Sequence, residues 1–274
     1  MRIDAHQHFW TYATADYPWI QPDWPIRRDF LLADLAPLLQ ASGFDGSVAV
    51  QARQSLEESR WLLELASASP GIKGVVGWVD LRAPDVEEQL SLLAANPKFV
   101  GVRHVVQDEP DDRFMLGEDF LRGIAKLQAF GLTYDILIYP RQLPAALELV
   151  RAYPEQAFVL DHLAKPLIRE GLLSPWREQV RELAALSNVM CKISGLVTEA
   201  RWFAWKREDF IPYLDVVFQA FGPDRLMFGS DWPVALLSAD YSKVFALIRD
   251  YIGGEDKNLA AKIFGLNATR FYQL

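Results

Sequence analysis

The sequence predicts a single α/β domain, a TIM-like (β/α)8 barrel that spans residues 1–274. Eight short apolar runs rich in β-branched residues alternate with longer runs of helical period, which is typical of repeated β/α units. The strand-like runs are apolar almost throughout, as parallel strands covered on both faces are. Composition does not change along the chain, and its length suits one barrel. An open, doubly wound sheet is the alternative fold.

The predicted elements follow one another in regular order. The strands are expected at residues 1–6, 46–51, 72–80, 99–105, 132–138, 157–162, 188–194 and 225–231. Between them, apolar residues recur three and four positions apart, which predicts helices with one buried face. These helices are expected at residues 31–43, 55–69, 85–97, 118–131, 143–154, 175–187 and 211–222. Several of them end at a glycine or run into a proline, and both residues commonly stop helices.

Composition and charge narrow the class of protein. Hydrophobic residues make up 51% of the chain and charged residues 23%, as in an ordinary globular protein. The formal net charge of −8 leaves no basic surplus to neutralise phosphates, so neither a nucleic acid nor a membrane is expected as a partner. Cys191 is the single cysteine, which fits a reducing compartment. We see no signal-like segment and no apolar run of about 18 residues, and we expect a cytoplasmic protein.

Polar side chains interrupt the predicted strands at their carboxyl ends, where the site of such a barrel lies. All four histidines of the chain are among them. Random placement would put some histidines on helices or outer loops, so this distribution indicates a functional site. The polar and aromatic residues at these ends are Asp4, His6, His8, Gln51, Arg53, Trp78, Asp80, Arg103, His104, Tyr134, Asp135, Asp161, His162, Lys165, Lys192, Ser194, Ser230, Asp231 and Trp232.

Strand geometry suggests which of these side chains meet. His6 and His8 alternate on one strand, so they are expected to share one face. Arg103 and His104 are adjacent, so only one of them is expected to face the barrel axis, and the sequence leaves open which one. Lys192 is either a cation of the site or a residue that reaches the surface, and both interpretations remain open.

Several of these motifs together resemble a known family. HQH at residues 6–8, DH at 161–162 and GSDWP at 229–233 resemble the amidohydrolase superfamily. More narrowly, they resemble its amidohydrolase-related branch, which includes lactonases for L-fucono- and L-rhamnonolactones. GVRH at 101–104, DHLAKP at 161–166 and the tail at 264–274 extend the resemblance over the whole chain. The resemblance implies an amidohydrolase-type barrel that hydrolyses a sugar lactone.

The resemblance also bears on cofactors. In the wider superfamily the HxH pair and the last-strand aspartate bind metal, with further histidines on the fifth and sixth strands and sometimes a lysine or glutamate on the fourth. The predicted fifth strand, LTYDILI, has no histidine, so a binuclear site is not expected. We favour catalysis that requires no cofactor. The alternative is one divalent metal such as zinc, held by His6, His8 and Asp231.

The resemblance and the placement of the residues together suggest roles. Asp231 is expected to act as the base on the attacking water, while His6, His8 and His162 polarise the lactone carbonyl or stabilise the oxyanion. Arg103 or His104, together with Lys192, is expected to bind the substrate. Aromatic faces stack on sugar rings, and tryptophans expected near the site include Trp19, Trp24, Trp78, Trp202 and Trp232.

Two other functions remain open. One is a metal-dependent decarboxylase of the same branch, and the other is a non-catalytic sugar-binding barrel. The expected partner in the favoured interpretation is a small neutral lactone of an aldonic acid.

Overall fold

The structure, a computed structural model, describes residues 1–253 and 256–274. Its strands form one parallel sheet in chain order, from β1 to β8, with a helix or a long loop after each strand. This confirms the predicted barrel. The strands are β1 (Ile3–Gln7), β2 (Gly46–Val50), β3 (Ile72–Gly77), β4 (Phe99–His104), β5 (Thr133–Ile136), β6 (Phe158–Leu160), β7 (Val189–Ile193) and β8 (Leu226–Phe228).

The barrel is nearly closed where its first and last strands meet. A parallel bridge joins Gln7, at the end of β1, to Trp232, just beyond β8. On either side of it, the Asp231 backbone amide donates to the His6 carbonyl at 2.8 Å, and the His8 amide donates to the Trp232 carbonyl at 2.7 Å. These bonds bring the HQH and GSDWP segments together, although they lie more than 220 residues apart in the chain.

The helices surround the sheet, and all of them except the short α9 bury one face, as their sequence period predicts. They are α1 (Leu32–Ala41), α2 (Leu56–Ala68), α3 (Val86–Ala94), α4 (Glu118–Leu127), α5 (Leu143–Ala152), α6 (Trp176–Ala184), α7 (Ile211–Phe221), α8 (Tyr241–Tyr251), α9 (Lys257–Ala261) and α10 (Asn267–Tyr272). Within the described residues, no helix combines the length and apolarity needed to cross a membrane.

An apolar core fills the barrel near the amino ends of the strands. We call it the lower core, and α10 covers it by contributing two of its side chains. Its buried members are Ile3, Ala5, Val48, Val50, Val76, Val100, Val159, Met190, Met227, Ala268 and Tyr272. Toward the carboxyl ends the buried side chains become polar and charged, and the candidate site begins there.

Candidate active site

Three predicted site residues converge at the carboxyl end of the barrel. His6 Nε2 lies 3.2 Å from His8 Nε2, and Asp231 Oδ1 lies 3.3 Å from His8 Nε2 and 3.8 Å from His6 Nε2. All three side chains are buried. Two imidazole nitrogens and one carboxylate oxygen therefore face a common point, as the alternation on the first strand predicts for the histidines.

The local backbone allows Asp231 to lie close to the two histidines. A side chain at Gly229 would place its Cβ 2.5 Å from the Cβ of His6, so only glycine fits there without displacing the histidine. Asp231 itself has a φ of 57°, a left-handed conformation that turns the chain sharply after β8. This turn directs the carboxylate back over the end of the barrel.

His162, which follows β6, lies near the same carboxylate. Its Nε2 lies 4.0 Å from Asp231 Oδ1, and its Nδ1 lies 2.8 Å from the Ser194 hydroxyl. Residues 162–165 all have positive φ values, which makes a tight turn immediately after β6. Gly195 faces this turn, since a Cβ there would lie 2.5 Å from His162 Nδ1. His162 therefore joins the cluster as the fourth predicted member.

Beneath the histidines lies a buried network of charges. Arg103 donates from Nη1 to Asp161 Oδ2 at 3.1 Å and from Nη2 to the Gln51 side-chain oxygen at 3.0 Å. Lys192 Nζ lies 2.5 Å from Asp135 Oδ2 and 3.2 Å from both Asp161 Oδ1 and His6 Nδ1. The two cations are thus matched by two carboxylates, which makes their burial tolerable.

Burial and neighbouring charges set the protonation of the cluster. Burial lowers the pKa of His162 to about 4 and holds the pKa of His6 well below its usual value, so both imidazoles are neutral near pH 7. Burial alone would raise the pKa of Asp231, but His162, with His8 and His6, holds it below its usual range. The cluster thus combines a charged carboxylate with the neutral imidazoles of His6 and His162.

The upper part of the cluster faces a cavity of about 680 Å³ that opens at the carboxyl end of the barrel. His8, Arg103, His162 and Asp231 line its floor, and Trp19, Trp24 and Trp202 line its walls. Trp24 and Trp202 meet edge to face with ring centroids 5.6 Å apart, which joins the loop after β1 to the loop after β7. A cavity of this size suits a small molecule.

A comparison with known protein families gives the family of this chain. A family model described as Amidohydrolase matches residues 3–274. This chain belongs to that amidohydrolase family.

Two similar amidohydrolases are L-fucono-1,5-lactonases from Burkholderia. The protein of Burkholderia multivorans is 44% identical over 100% of this chain and 96% of its own length. That of Burkholderia ambifaria is 41% identical over the same shares. A crystal structure of an amidohydrolase from Burkholderia multivorans with bound zinc superposes with a TM-score of 0.96 at 44% identity, and the match covers 100% of this chain and 99% of that one.

The donor set of this amidohydrolase fits a divalent metal. Zinc bonds of about 2.0–2.1 Å in a tetrahedron separate neighbouring ligand atoms by roughly 3.3 Å. The three separations among His6 Nε2, His8 Nε2 and Asp231 Oδ1 are 3.2, 3.3 and 3.8 Å. His8 Nδ1 donates to the Val50 carbonyl at 2.8 Å, which leaves its Nε2 free to bind a metal. The geometry therefore supports the zinc alternative that the sequence predicts for these residues.

The structure resolves the choice between Arg103 and His104 and corrects the assignment of His104. Arg103 lines the cavity, whereas the His104 ring stacks on Phe114 outside the barrel wall, at a centroid distance of 4.9 Å. Adjacent residues on β4 point to opposite faces, so one had to face the helices. His104 Nε2 lies 2.7 Å from Glu109 Oε1, and Glu109 lines the cavity. His104 thus contacts a residue that lines the cavity and does not line the cavity itself.

Three other predicted substrate contacts are also corrected. Trp78 donates from its indole to His104 Nδ1 at 3.3 Å and does not line the cavity. Trp232 is buried against Phe9 and Phe30, because the bridge to β1 turns its side chain outward. Lys192 is fully buried beneath His6 and contacts carboxylates instead of the cavity.

Several residues that line the cavity were given no role from the sequence. Lys165 follows the Asp-His pair after β6, and its ammonium lies 3.8 Å from Glu199 and 5.3 Å from the centre of the Tyr139 ring. The position of Lys165 beside His162 was a usable signal in the sequence. Glu199 lies on the loop after β7 and Asp108 ends a short 3₁₀ helix after β4, and neither segment has an apolar period that would mark these residues in the sequence.

Proposed function

We propose that this protein hydrolyses a small neutral sugar lactone to the corresponding acid, with Asp231 as the base. The observation that carries the role of Asp231 is the position of its Oδ1 beside three imidazoles at the carboxyl end of the barrel, at 3.3 to 4.0 Å. The reaction class is supported by the two relatives named L-fucono-1,5-lactonase, which match the full chain. The eight-stranded barrel places all of these groups at its carboxyl end.

Residues on the cavity floor account for each step of the proposed hydrolysis. The Asp231 carboxylate takes a proton from water while the water oxygen bonds to the lactone carbonyl carbon. Arg103, a cation held in place at the cavity, stabilises the oxyanion that develops on the carbonyl oxygen. The ring C–O bond then breaks, and the proton held by Asp231 passes to the departing alkoxide. An ester carbonyl polarised in this way needs only a weak base, which fits the lowered pKa of Asp231.

A divalent metal has a defined place in this proposal. His6, His8 and Asp231 would hold it, and it would polarise the carbonyl as a Lewis acid. The neutral imidazole of His6 and the charged carboxylate of Asp231 are in the forms that bind metal. Catalysis without a required metal remains a prediction of the sequence, and it is tested below with a chelator.

The charges of the cavity favour a neutral substrate. Its cationic side chains are Arg53, Arg103 and Lys165, while its acidic ones are Asp16, Asp108, Glu109, Glu199 and Asp231. Arg53 is already paired with Asp16 at 2.8 Å. A dicarboxylate would meet this acidic excess, whereas a polyhydroxylated ring can hydrogen-bond to both signs of charge. The tryptophan wall offers stacking surface for the ring.

Replacing Asp231 tests the role of the base. Asp231→Asn keeps the size of the side chain but removes the charge, so we expect kcat for lactone hydrolysis to fall by about 10²–10⁴-fold. Acid release from a panel of aldonolactones measures it. Asp119→Asn, an exposed carboxylate on α4 paired with Arg122, is the matched control and should keep full activity. Near-wild-type turnover by Asp231→Asn would refute the assignment.

The same panel decides the metal question and the alternative functions. Activity that survives a strong chelator supports the metal-independent route, and complete loss restored by zinc contradicts it. A decarboxylase would release carbon dioxide from an aromatic acid and would leave lactones untouched. A sugar-binding protein would bind members of the panel without releasing acid.

A further inference from the structure

Glu109 differs from two other acidic side chains that line the cavity, because its partner is an imidazole instead of a permanent cation. Asp16 and Glu199 each lie beside a basic side chain, at 2.8 and 3.8 Å. Glu109 Oε1 lies 2.7 Å from His104 Nε2. The side chain of Glu109 is 22% exposed and that of His104 only 4%, so Glu109 is the member of this pair that faces the cavity.

Two contacts agree on where His104 carries its proton. Trp78 Nε1 donates to His104 Nδ1 at 3.3 Å, and an indole N–H can only donate. His104 Nδ1 therefore has a lone pair, which places the proton of the ring on Nε2. On the other side of the ring, the Glu109 carboxylate needs a donor on that same nitrogen. Burial lowers the pKa of His104, which keeps the ring neutral near pH 7.

Packing outside the barrel wall fixes the direction of this hydrogen-bonded chain. The His104 ring stacks on Phe114 at a centroid distance of 4.9 Å and meets Phe120 edge to face at 5.7 Å. The backbone amide of Trp78 donates to the Ser59 hydroxyl of α2 at 2.7 Å. The indole and the imidazole are therefore both held in place, and the Nε2–H of His104 points toward the cavity side.

The backbone that carries Glu109 is held as well. The Val105 amide donates to the Gln54 side-chain oxygen at 2.9 Å. The Val106 carbonyl accepts from the Glu109 amide at 3.0 Å and from the Gln142 side chain at 2.8 Å. The Glu109 carboxylate therefore has a defined position before a ligand enters, and such preorganisation is what allows a polar group to discriminate between ligands.

The second carboxylate oxygen of Glu109 is available to a ligand. Among the described residues none donates to Oε2, and this atom remains open to solvent. A carboxylate oxygen only accepts hydrogen bonds, and a ring hydroxyl of a sugar lactone can donate one. We propose that Glu109 is a specificity-determining residue that accepts a ring hydroxyl of the lactone through Oε2, and that His104 and Trp78 position it. This proposal rests on the proposed function.

Glu109→Gln separates recognition from structure. The glutamine oxygen can still accept from His104, but an NH₂ group that cannot accept replaces Oε2. Hydrolysis is measured on 1,5-aldonolactones and on analogues that each lack one ring hydroxyl. In the wild-type protein, loss of the recognised hydroxyl should lower kcat/KM by about 10- to 100-fold, since the charged oxygen then loses its donor. In Glu109→Gln the same loss should cost about threefold or less.

The ratio of the two kcat/KM values does not depend on how much of the protein is folded, so a partly misfolded variant still gives a result. Glu148→Gln, which changes an exposed carboxylate of α5 paired with Arg113, is the matched control and should keep the wild-type ratio. Equal ratios in the wild-type protein and Glu109→Gln would overturn the proposal.

His104→Phe tests the positioning role. The new ring can still pack against Phe114 and Phe120. It has no N–H for Glu109, so the ratio should fall as in Glu109→Gln, and the double variant should show no further fall. A merely structural role would instead lower kcat/KM equally for every lactone. The ¹⁵N spectrum of the wild-type protein should show the Nε2–H form of His104, and the Nδ1–H form would contradict the chain of donors.

Binding of 1,5-anhydroalditols separates this proposal from lactone hydrolysis, because these rings carry the hydroxyls but no carbonyl. Calorimetry should show binding to Glu109→Gln that is about tenfold weaker than to the wild-type protein. Absence of lactone turnover would refute the proposed function and leave this comparison valid. Turnover with equal hydroxyl ratios and equal binding in the two proteins would refute only the role of Glu109. Absence of both turnover and binding would refute both.

Discussion

The two ends of the barrel interior are equally buried but differ in how they are stabilised. The lower core consists almost entirely of aliphatic side chains, such as Val48 and Met227, whose contacts are non-directional. The upper end, at the carboxyl ends of the strands, holds Arg103, Lys192 and the carboxylates that pair with them. A methyl group can be moved slightly at small cost, whereas a buried charge needs its partner at hydrogen-bonding distance. The lower core therefore stabilises the barrel, while the upper end fixes where each functional group points.

The largest effect on activity and stability is expected from removing a buried charge at the upper end. Arg103→Gln removes the cation from the cavity floor and leaves Asp161 with one partner fewer, so both activity and stability should fall. We expect kcat to drop by about 10²–10³-fold. The free energy of unfolding should drop by about 3–5 kcal/mol, the usual cost of breaking a buried ion pair. Lactone turnover and urea unfolding measure the two effects.

A surface arginine serves as the control for this variant. Arg113 is 61% exposed and pairs with Glu148 at 2.8 Å, and such exposed pairs contribute about 0–1 kcal/mol. Arg113→Gln should therefore leave both activity and stability close to wild type. Equal losses in the two variants would contradict the distinction between buried and exposed charges.

The next effect should come from the lower core and should spare catalysis. Met227 is fully buried there, and Met227→Ala removes side-chain volume that the surrounding strands cannot refill. We expect the free energy of unfolding to fall by about 2–5 kcal/mol while kcat, measured well below the melting temperature, stays within twofold. A large loss of kcat at unchanged stability would show that the two ends are not separable in this way.

The smallest effect concerns one carboxylate outside the barrel interior. Glu58 on α2 accepts the backbone amides of Ala52 and Arg53 at 3.0 and 2.9 Å, and the Tyr17 hydroxyl at 3.2 Å. Burial raises its pKa to about 7 from the usual value of 4.5. The folded protein therefore holds this proton more tightly than the unfolded chain between these two pH values.

The sign of the pH dependence follows from that proton. The folded state binds more protons than the unfolded state between pH 4.5 and 7, so the free energy of unfolding falls as pH rises through this window. The contribution of Glu58 is on the order of 3 kcal/mol. Glu58→Gln should flatten the pH profile of urea unfolding by that amount. Parallel profiles for the two proteins would show that Glu58 behaves like an exposed carboxylate.

Much of the fold and part of the site could be predicted because both depend on local patterns. Continuous apolar runs predict β2 to β8 in their observed order, since strands buried on both faces need apolar residues throughout. The helices from α1 to α7 lie within the predicted ranges, because a single buried face imposes the helical period. The clustering of His6, His8, His162 and Asp231 followed from their places at strand ends, which a barrel brings together.

The sequence alone determined which residues lie at the carboxyl end of the barrel, and the tertiary structure decided what each of them contacts. Arg103 faces the cavity and His104 faces the helices because the pairing of β4 with β5 places Arg103 opposite Asp135. Lys192 is buried because Asp135 and Asp161, from two other strands, supply its counter-charges. Trp232 turns away from the cavity because its backbone bridges to β1. Each of these outcomes depends on partners distant in the chain, and a strand's own sequence carries no information about the residues opposite it.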